Sequence, residues 1–256
     1  MYVYEYLIEN LLVKNKDEAV KAVLSGKVFS ENSRISSVNE KVSFKDKIIY
    51  KKSSKQYVSR GGSKIASIFS EFNISVFDKT GIDLGASTGG FTDFLLQQQA
   101  KVIVTIDVNY GELDYRLRRD SRVIEIERTN IRTLTNNKLN YILKNHPKNK
   151  MIQITSPFDF IVGDLSFISL KLILPKLKNF LREKGDLLLL FKPQFEAPKE
   201  QVPEGGIITD KKLIAALISD FIGFVEMNNY SYIQHLPSEI TGTKGNQEYF
   251  IHLKSI

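Results

Sequence analysis

Two hydrophobic rhythms divide this chain. Residues 2–12 place Tyr2, Tyr6, Leu7 and, less regularly, Leu11 at helical spacing, and Ala19, Val20, Val23 and Leu24 repeat that spacing before Gly26. The stretch that follows, "KVFSENSRISSVNEKVSFKDKIIYKK", alternates apolar and polar positions between Asn-Ser turns, which predicts short strands. Residues 1–50 therefore read as a small helix–helix–strand module. The stretch "KKSSKQ", residues 51–56, is polar, basic and without period, and reads as a linker.

From residue 57 onward, amphipathic helices alternate with apolar strands. Helical spacing predicts helices over 63–72, 88–98, 111–119, 169–182 and 210–226. Strands are expected over 80–84, 102–107, 122–127 and 158–163, along the leucine run that begins at residue 187, and over 230–236 and 247–253. Seven strands interleaved with helices predict an α/β fold, a doubly wound and mostly parallel sheet over 57–256. Residues 135–156 fit this plan least well and are expected to form a surface insertion.

The run "LLLLFKPQFE", residues 187–196, suits a strand covered on both faces, yet it ends in a lysine and a proline. Pro193 could simply stop the strand and release Lys192 into solvent. Open parallel sheets, however, bind ligands at the carboxyl ends of their strands. Asp164 ends "FDFIVGD" at the same edge, and Glu248 opens the last strand in "TGTKGNQEYFIHL". In "VSRGGSKI", Arg60 and Lys64 stand at a helix start, where cations and the helix dipole together favour an anion.

The segment "GIDLGASTGGFTDFLL", residues 81–96, is strand, glycine turn and helix. Gly85, Gly89 and Gly90, with Ala86 and Ser87 between them, let the backbone turn sharply and approach a ligand, and Thr88 is placed to cap the helix. The turn is neither G-x-G-x-x-G nor a phosphate loop, so it serves nucleotide phosphates poorly. Asp83 inside the strand and Asp107 at the end of the next suit a nucleoside whose ribose hydroxyls need a carboxylate. S-adenosylmethionine is such a ligand, because it carries no phosphate.

Charge adds a partner. Net charge is +7 and the pI about 9.3, which favours an anionic surface. Residues 1–56 hold 11 Lys+Arg against 7 Asp+Glu, so the excess is concentrated in the small module, and six of nine arginines fall between Arg116 and Arg132. Both patches raise the nucleic-acid reading. With no cysteine, disulfides and thiolate metal sites are excluded, and His146, His235 and His252 form no ligand spacing, so no metal is expected. No basic leader opens the chain and no apolar run approaches the ~20 residues of a bilayer span, which gives the expectation of a soluble, cytoplasmic protein without a membrane partner.

Six ordered motifs, "VSRGGSK", "DLGASTGGFTDFLL", "LRRDSRVIEIERTNIR", "DLSFISL", "FKPQFE" and "TGTKGNQE", resemble the TlyA, or hemolysin A, family over nearly the whole chain. The resemblance implies a Rossmann-like methyltransferase fold of the FtsJ type over 57–256, joined through 51–56 to an RNA-binding module of the ribosomal-protein-S-four type over 1–50. It also implies S-adenosyl-L-methionine as cofactor, ribosomal RNA or a ribosomal subunit as partner, and a tetrad of Lys64, Asp164, Lys192 and Glu248 that methylates a ribose 2′-hydroxyl. A hydroxyl is a poor nucleophile and needs a base, or a cation that stabilises developing alkoxide. Lys64 would orient the nucleotide. Asp83, the turn from Gly85 to Gly90, and Asp107 would hold the cofactor. The module departs from the family's usual Arg-Leu-Asp start and Ser-Arg pair, so RNA contact is expected to lean on Lys14, Lys16, Lys21 and Lys27. Alternatives are a non-catalytic RNA-binding or ribosome-assembly factor, a membrane-active hemolysin and, more distantly, a nicotinamide oxidoreductase.

Overall fold

The computed structural model describes residues 1–24, 26–31, 33–43, 46–50 and 57–256, so the expected linker at 51–56 lies outside the described residues. The chain divides into two compact units, Met1–Gln56 and Tyr57–Ile256. In the first, α1 (Val3–Glu9) and α2 (Lys16–Leu24) accompany β1 (Val28–Ser30), β2 (Ser33–Arg34) and β3 (Ile48–Tyr50), an antiparallel sheet of order β2-β1-β3. Val3, Leu7, Ala19, Val23, Val28 and Ile48 share its core. Helix α1 stops short of the expected residue 12: Leu11 turns to a φ of 56° and is exposed, so its apolar side chain is not part of the helical stripe.

The second unit is built on β4 (Thr80–Leu84), β5 (Val102–Ile106), β6 (Val123–Ile126), β7 (Phe158–Gly163), β8 (Leu181–Phe191), β9 (Tyr230–Pro237) and β10 (Tyr249–Ser255). Their order is β6-β5-β4-β7-β8-β10-β9, parallel from β6 to β8, with β10 antiparallel to both neighbours. Helices α3 (Arg60–Ala66), α4 (Gly90–Gln97), α5 (Tyr115–Arg119), α6 (Asn136–Asn145), α7 (Asn149–Ile152), α8 (Leu174–Leu177), α9 (Pro193–Glu196) and α10 (Lys211–Met227) complete it.

The four leucines of β8 alternate between two cores. Leu187, Leu189 and Phe191 join Ile82, Leu84, Val104 and Ile106, whereas Leu188 and Leu190 join Phe91, Phe94 and Phe250. Each leucine is essentially inaccessible, and burying such a side chain contributes roughly 1.5–3 kcal/mol. A strand stabilised on both faces can carry a strained or charged exit.

Four expectations need correction. The helix over 63–72 is α3 followed by a 3-10 turn, Phe69–Phe72, because an i, i+3 apolar pair satisfies either helix type. The helix over 111–119 begins only at Tyr115, where Asp114 caps it by accepting the Arg116 N–H, and Gly111 belongs to the preceding loop. The helix over 169–182 is broken into a 3-10 turn, Leu170–Leu172, and the single turn α8, with Pro175 opening the second piece, and β8 already starts at Leu181. Residues 135–156 are no loose insertion: α6 sends Leu139 and Leu143 into the main core, and Lys148 Nζ donates to the carbonyls of Arg118, Asp120 and Val123 at 2.6, 3.2 and 2.8 Å.

Candidate active site

Parallel pairing brings the ends of β4, β5, β7 and β8 to one edge of the sheet, and the order reverses between β5-β4 and β7-β8 there. Because β10 is antiparallel and Tyr249 pairs with Phe191, Glu248 arrives at this same edge from the start of its strand. After β4 the chain turns through Gly85 and Gly89, at φ 72° and 92°. A Cβ on Gly85 would stand 2.8 Å from the Asp164 carbonyl oxygen, so only glycine lets the two loops touch. Thr88 does not cap α4; Gly89 occupies the N-cap position and no side chain closes it.

Two aspartates stiffen this turn. Asp107 accepts the Ser87 N–H at 2.8 Å and the Asn109 N–H at 2.9 Å. Asp83 lies beneath, 1% exposed, and accepts from the Thr92 N–H at 3.0 Å and the Thr92 hydroxyl at 2.6 Å. Burial pushes the Asp83 carboxyl up to about 7 against the pull of those two bonds, and the nearby Asp164 and Asp107 charges add to the rise.

The four tetrad candidates meet as two ion pairs. Lys64 Nζ on α3 donates to Glu248 Oε2 at 2.6 Å, and Lys192 Nζ stands 2.6 Å from Asp164 Oδ1. Lys192 also donates to Ser166 Oγ at 2.9 Å. Lys64, Lys192 and Glu248 are buried and Asp164 is partly open. Lys64 therefore stands in the last turn of α3, not at the helix start as expected, and is neutralised by Glu248, while Arg60 at the start reaches Thr243 Oγ1 at 3.4 Å.

Two clefts adjoin at Gly85, Ser87, Asp164 and Ser166. The first, about 390 Å³, is walled by Asp107, Val108, Asn130, Ile131 and Leu165 among others. The second, about 260 Å³, holds all four tetrad residues and the turn from Gly85 to Gly90, with Asp83 in its floor. A further cleft of about 320 Å³ shares Ser166, Lys192 and Glu248 with it. Sequence reading missed Val108, Asn130, Ile131 and Leu165. Their signal was positional: Val108, Asn130 and Leu165 lie in the loops that follow β5, β6 and β7, and parallel neighbours end at one edge. The arginine cluster is half spent, since Arg116, Arg118 and Arg122 pair with Asp114, Glu127 and Asp120. Arg119 and Arg128 lie over the exposed rings of Tyr115 and Tyr110.

Residues 57–255 match the model of the FtsJ-like methyltransferase family. The chain belongs to that family. Among relatives of this FtsJ-like methyltransferase, a candidate rRNA methyltransferase of Bacillus subtilis is 39% identical over 96% of this chain and 83% of its own. The "16S/23S rRNA (cytidine-2'-O)-methyltransferase TlyA" of Mycobacterium tuberculosis is 33% identical over 97% of this chain and 88% of its own, which makes the chain a TlyA relative along both units. A solved structure of a candidate hemolysin from Streptococcus thermophilus superposes with a TM-score of 0.71 at 32% identity, covering 100% of this chain and 88% of that one. The family's fold is accordingly the Rossmann-like, mostly parallel seven-stranded sheet described above. Among the described residues of this methyltransferase, no helix is long and apolar enough to cross a membrane, and no cluster of His, Cys, Asp or Glu could hold a metal ion.

Proposed function

We propose that this chain methylates a ribose 2′-hydroxyl of ribosomal RNA, with S-adenosylmethionine as the methyl donor and cytidine, named for the M. tuberculosis relative, as the favoured nucleoside. The observation that carries the reading is the two ion pairs, the buried Lys64–Glu248 and the partly open Lys192–Asp164, in a cleft that adjoins the glycine turn.

The residues fit the donor. Asp107, Glu112 and Asp164 line the first cleft against one cation, Arg132, so carboxylates predominate and favour a cationic ligand over a polyphosphate. Val108, Ile131, Leu165 and Ile168 give the same cleft apolar surface suited to a base. Asp107 and the turn from Gly85 to Gly90 would hold the cofactor, with Asp83 bracing the turn through Thr92. When bound, S-adenosylmethionine supplies an electrophilic methyl group on a sulfonium centre. Lys192 provides a fixed positive charge where a hydroxyl oxygen would turn negative as it attacks, and charge already in place costs no reorganisation during the reaction. Lys64, held by Glu248, forms the opposing wall and orients the nucleotide.

Residues 1–50 serve as an RNA anchor of the ribosomal-protein-S-four type, with Lys14, Lys16 and Lys21 exposed, and residues 57–256 carry the chemistry. The protein then works in the cytoplasm, beside ribosomes. Incubating purified protein with methyl-labelled S-adenosylmethionine and ribosomal subunits should place label on a ribose, read as one position resistant to alkaline cleavage. Lys192→Ala should abolish that label and leave cofactor affinity intact. Label on a base, or none on free RNA and subunits alike, would sink the reading.

A further inference from the structure

We propose that Ser166 and Glu196 form a brace that fixes the Lys192 ammonium, each acting as a positioning residue for the transfer reaction proposed above, on which this inference rests.

Lys192 leads into α9, a single turn whose last residue is Glu196. Lys192 stands just before the turn with an extended backbone, and Glu196 closes it. Opposite them runs the segment from Asp164 to the 3-10 turn at Leu170. Lys192 grips the near end of this segment at Asp164 Oδ1, 2.6 Å away, and at Ser166 Oγ, 2.9 Å away. Glu196 grips the far end: Oε2 accepts from Ser169 Oγ at 2.5 Å and Oε1 from the Leu170 N–H at 2.7 Å. Between the two grips, Phe167 sits at a φ of 63° with its ring 5.2 Å from that of Phe195. The motifs "DLSFISL" and "FKPQFE" are thus stitched together at three successive points.

The chemistry follows from counting donors. A lysine ammonium has three N–H bonds on a flexible stem. Ser166 Oγ takes one of them, while Asp164 Oδ1 holds the ammonium at 2.6 Å as an ion pair without a hydrogen bond of its own, which leaves N–H capacity for a group outside the pair. Without Ser166 the ammonium can swing about its single ion pair; without Glu196 the segment presenting Ser166 loses its far anchor. Glu196 lines neither the tetrad cleft nor the neighbouring cleft at Phe195, so it acts through others. Its carboxyl is raised above the ordinary range by burial despite two hydrogen bonds, a cost that a three-residue turn already capped by Ser169 does not require.

The test uses the full chain and the variants Ser166→Ala, Glu196→Ala, Glu196→Gln and the double alanine. Single-turnover transfer to ribosomal RNA should slow by about tenfold or more in each alanine variant, since misplacements near 1 Å can cost ~10²-fold. The RNA KM and cofactor affinity should stay within about threefold. Glu196→Gln should recover the rate, because its carbonyl can accept the Leu170 N–H while its amide N–H donates to Ser169. The double variant should lose little more than the worse single one, as expected for two groups acting on one ammonium. Crystal structures supply a readout independent of turnover: Lys192 Nζ should leave Asp164 in the alanine variants and return in Glu196→Gln. Wild-type rates with Lys192 unmoved, or losses that multiply in the double variant, would overturn the brace. An inactive wild-type protein whose Lys192 still shifts in the variants would overturn the proposed reaction and leave the brace standing.

Discussion

Replacing Gly90 by alanine would drive a methyl group into the crossing of α3 and α4. The new Cβ would lie 2.4 Å from Ser59 Oγ, 2.6 Å from the Gly62 nitrogen and 3.0 Å from the Gly61 carbonyl carbon. Two of these are backbone atoms, which cannot rotate away. Restoring ordinary contact at 3.4 Å from the Gly62 nitrogen moves α3 by about 0.8 Å. Overpacking of this kind costs ~1–3 kcal/mol, offset by up to ~1 kcal/mol from the better helix propensity of alanine. A net loss of about 1–2 kcal/mol lowers Tm by roughly 2–8 °C in a unit of this size. The functional effect should be larger. Lys64 rides on α3, and the same displacement stretches its 2.6 Å bond to Glu248 to about 3.4 Å, outside the ~2.7–2.9 Å of a charge-assisted hydrogen bond. Methyl transfer, followed with labelled cofactor, should fall by about 10–100-fold. Gly61 is the control, since its Cβ would meet Ser59 Oγ at 3.5 Å and Gly90 Cα at 3.7 Å, ordinary contacts. Gly61→Ala should therefore melt like wild type. A Gly90→Ala protein with wild-type Tm and rate, or a Gly61→Ala protein equally damaged, would refute the assignment of Lys64 placement to this crossing.

Lys64→Ala strands the Glu248 carboxylate, whose side chain is 4% exposed, and should cost ~3–5 kcal/mol by thermal melting; Lys64→Met with Glu248→Leu should recover most of that stability but no activity. Asp83 holds its proton up to about pH 7 when folded against 3.8 for an ordinary aspartate, so between those values the folded state binds more protons and stability falls as pH rises. Asp83→Asn keeps an oxygen for Thr92 and should gain on wild type by up to roughly 4 kcal/mol between about pH 4 and pH 8, whereas parallel Tm curves would count against the buried proton. Reversing Lys14 and Lys16 to glutamate should weaken RNA binding, flatten its salt dependence by roughly 0.7–0.9 per lost contact, and leave cofactor affinity alone. An unchanged slope would move the RNA anchor elsewhere, first to Arg119 and Arg128.

Legibility followed burial. Strands β4, β5, β6 and β7 and the leucine run of β8 were readable because a parallel strand covered on both faces must be a continuous apolar run, and the ends of β5, β7 and β8 then placed Asp107, Asp164 and Lys192. Glu248 was readable by its motif alone, since only the antiparallel course of β10 explains why a residue before a strand joins residues that follow strands. Short pieces were not readable. In 169–182 the leucine spacing persists through a 3-10 turn and α8, and only Pro175 hints at the break. Leu139, Ile142 and Leu143 did carry an amphipathic signal in 135–156, hidden among asparagines and lysines. Glu196 and Ser166 stayed silent because each meets its partner 27 or 26 residues away, a pairing visible only once β7 and β8 lie side by side.

The placement of β10 also bears on how the enzyme is made. It is the last strand in chain order, yet it lies between β8 and β9 rather than at the rim. A chain emerging from the ribosome through Pro237 has already produced Lys64, Asp164 and Lys192 and five parallel strands, but β8 still presents an open edge and β9 has no partner. Nascent chains fold N-terminal parts first, and an open hydrophobic edge invites pairing with foreign strands. The arrival of residues 248–255 closes that edge and neutralises Lys64 in one step. The proposed tetrad is therefore completed at the same moment of synthesis that covers the open edge.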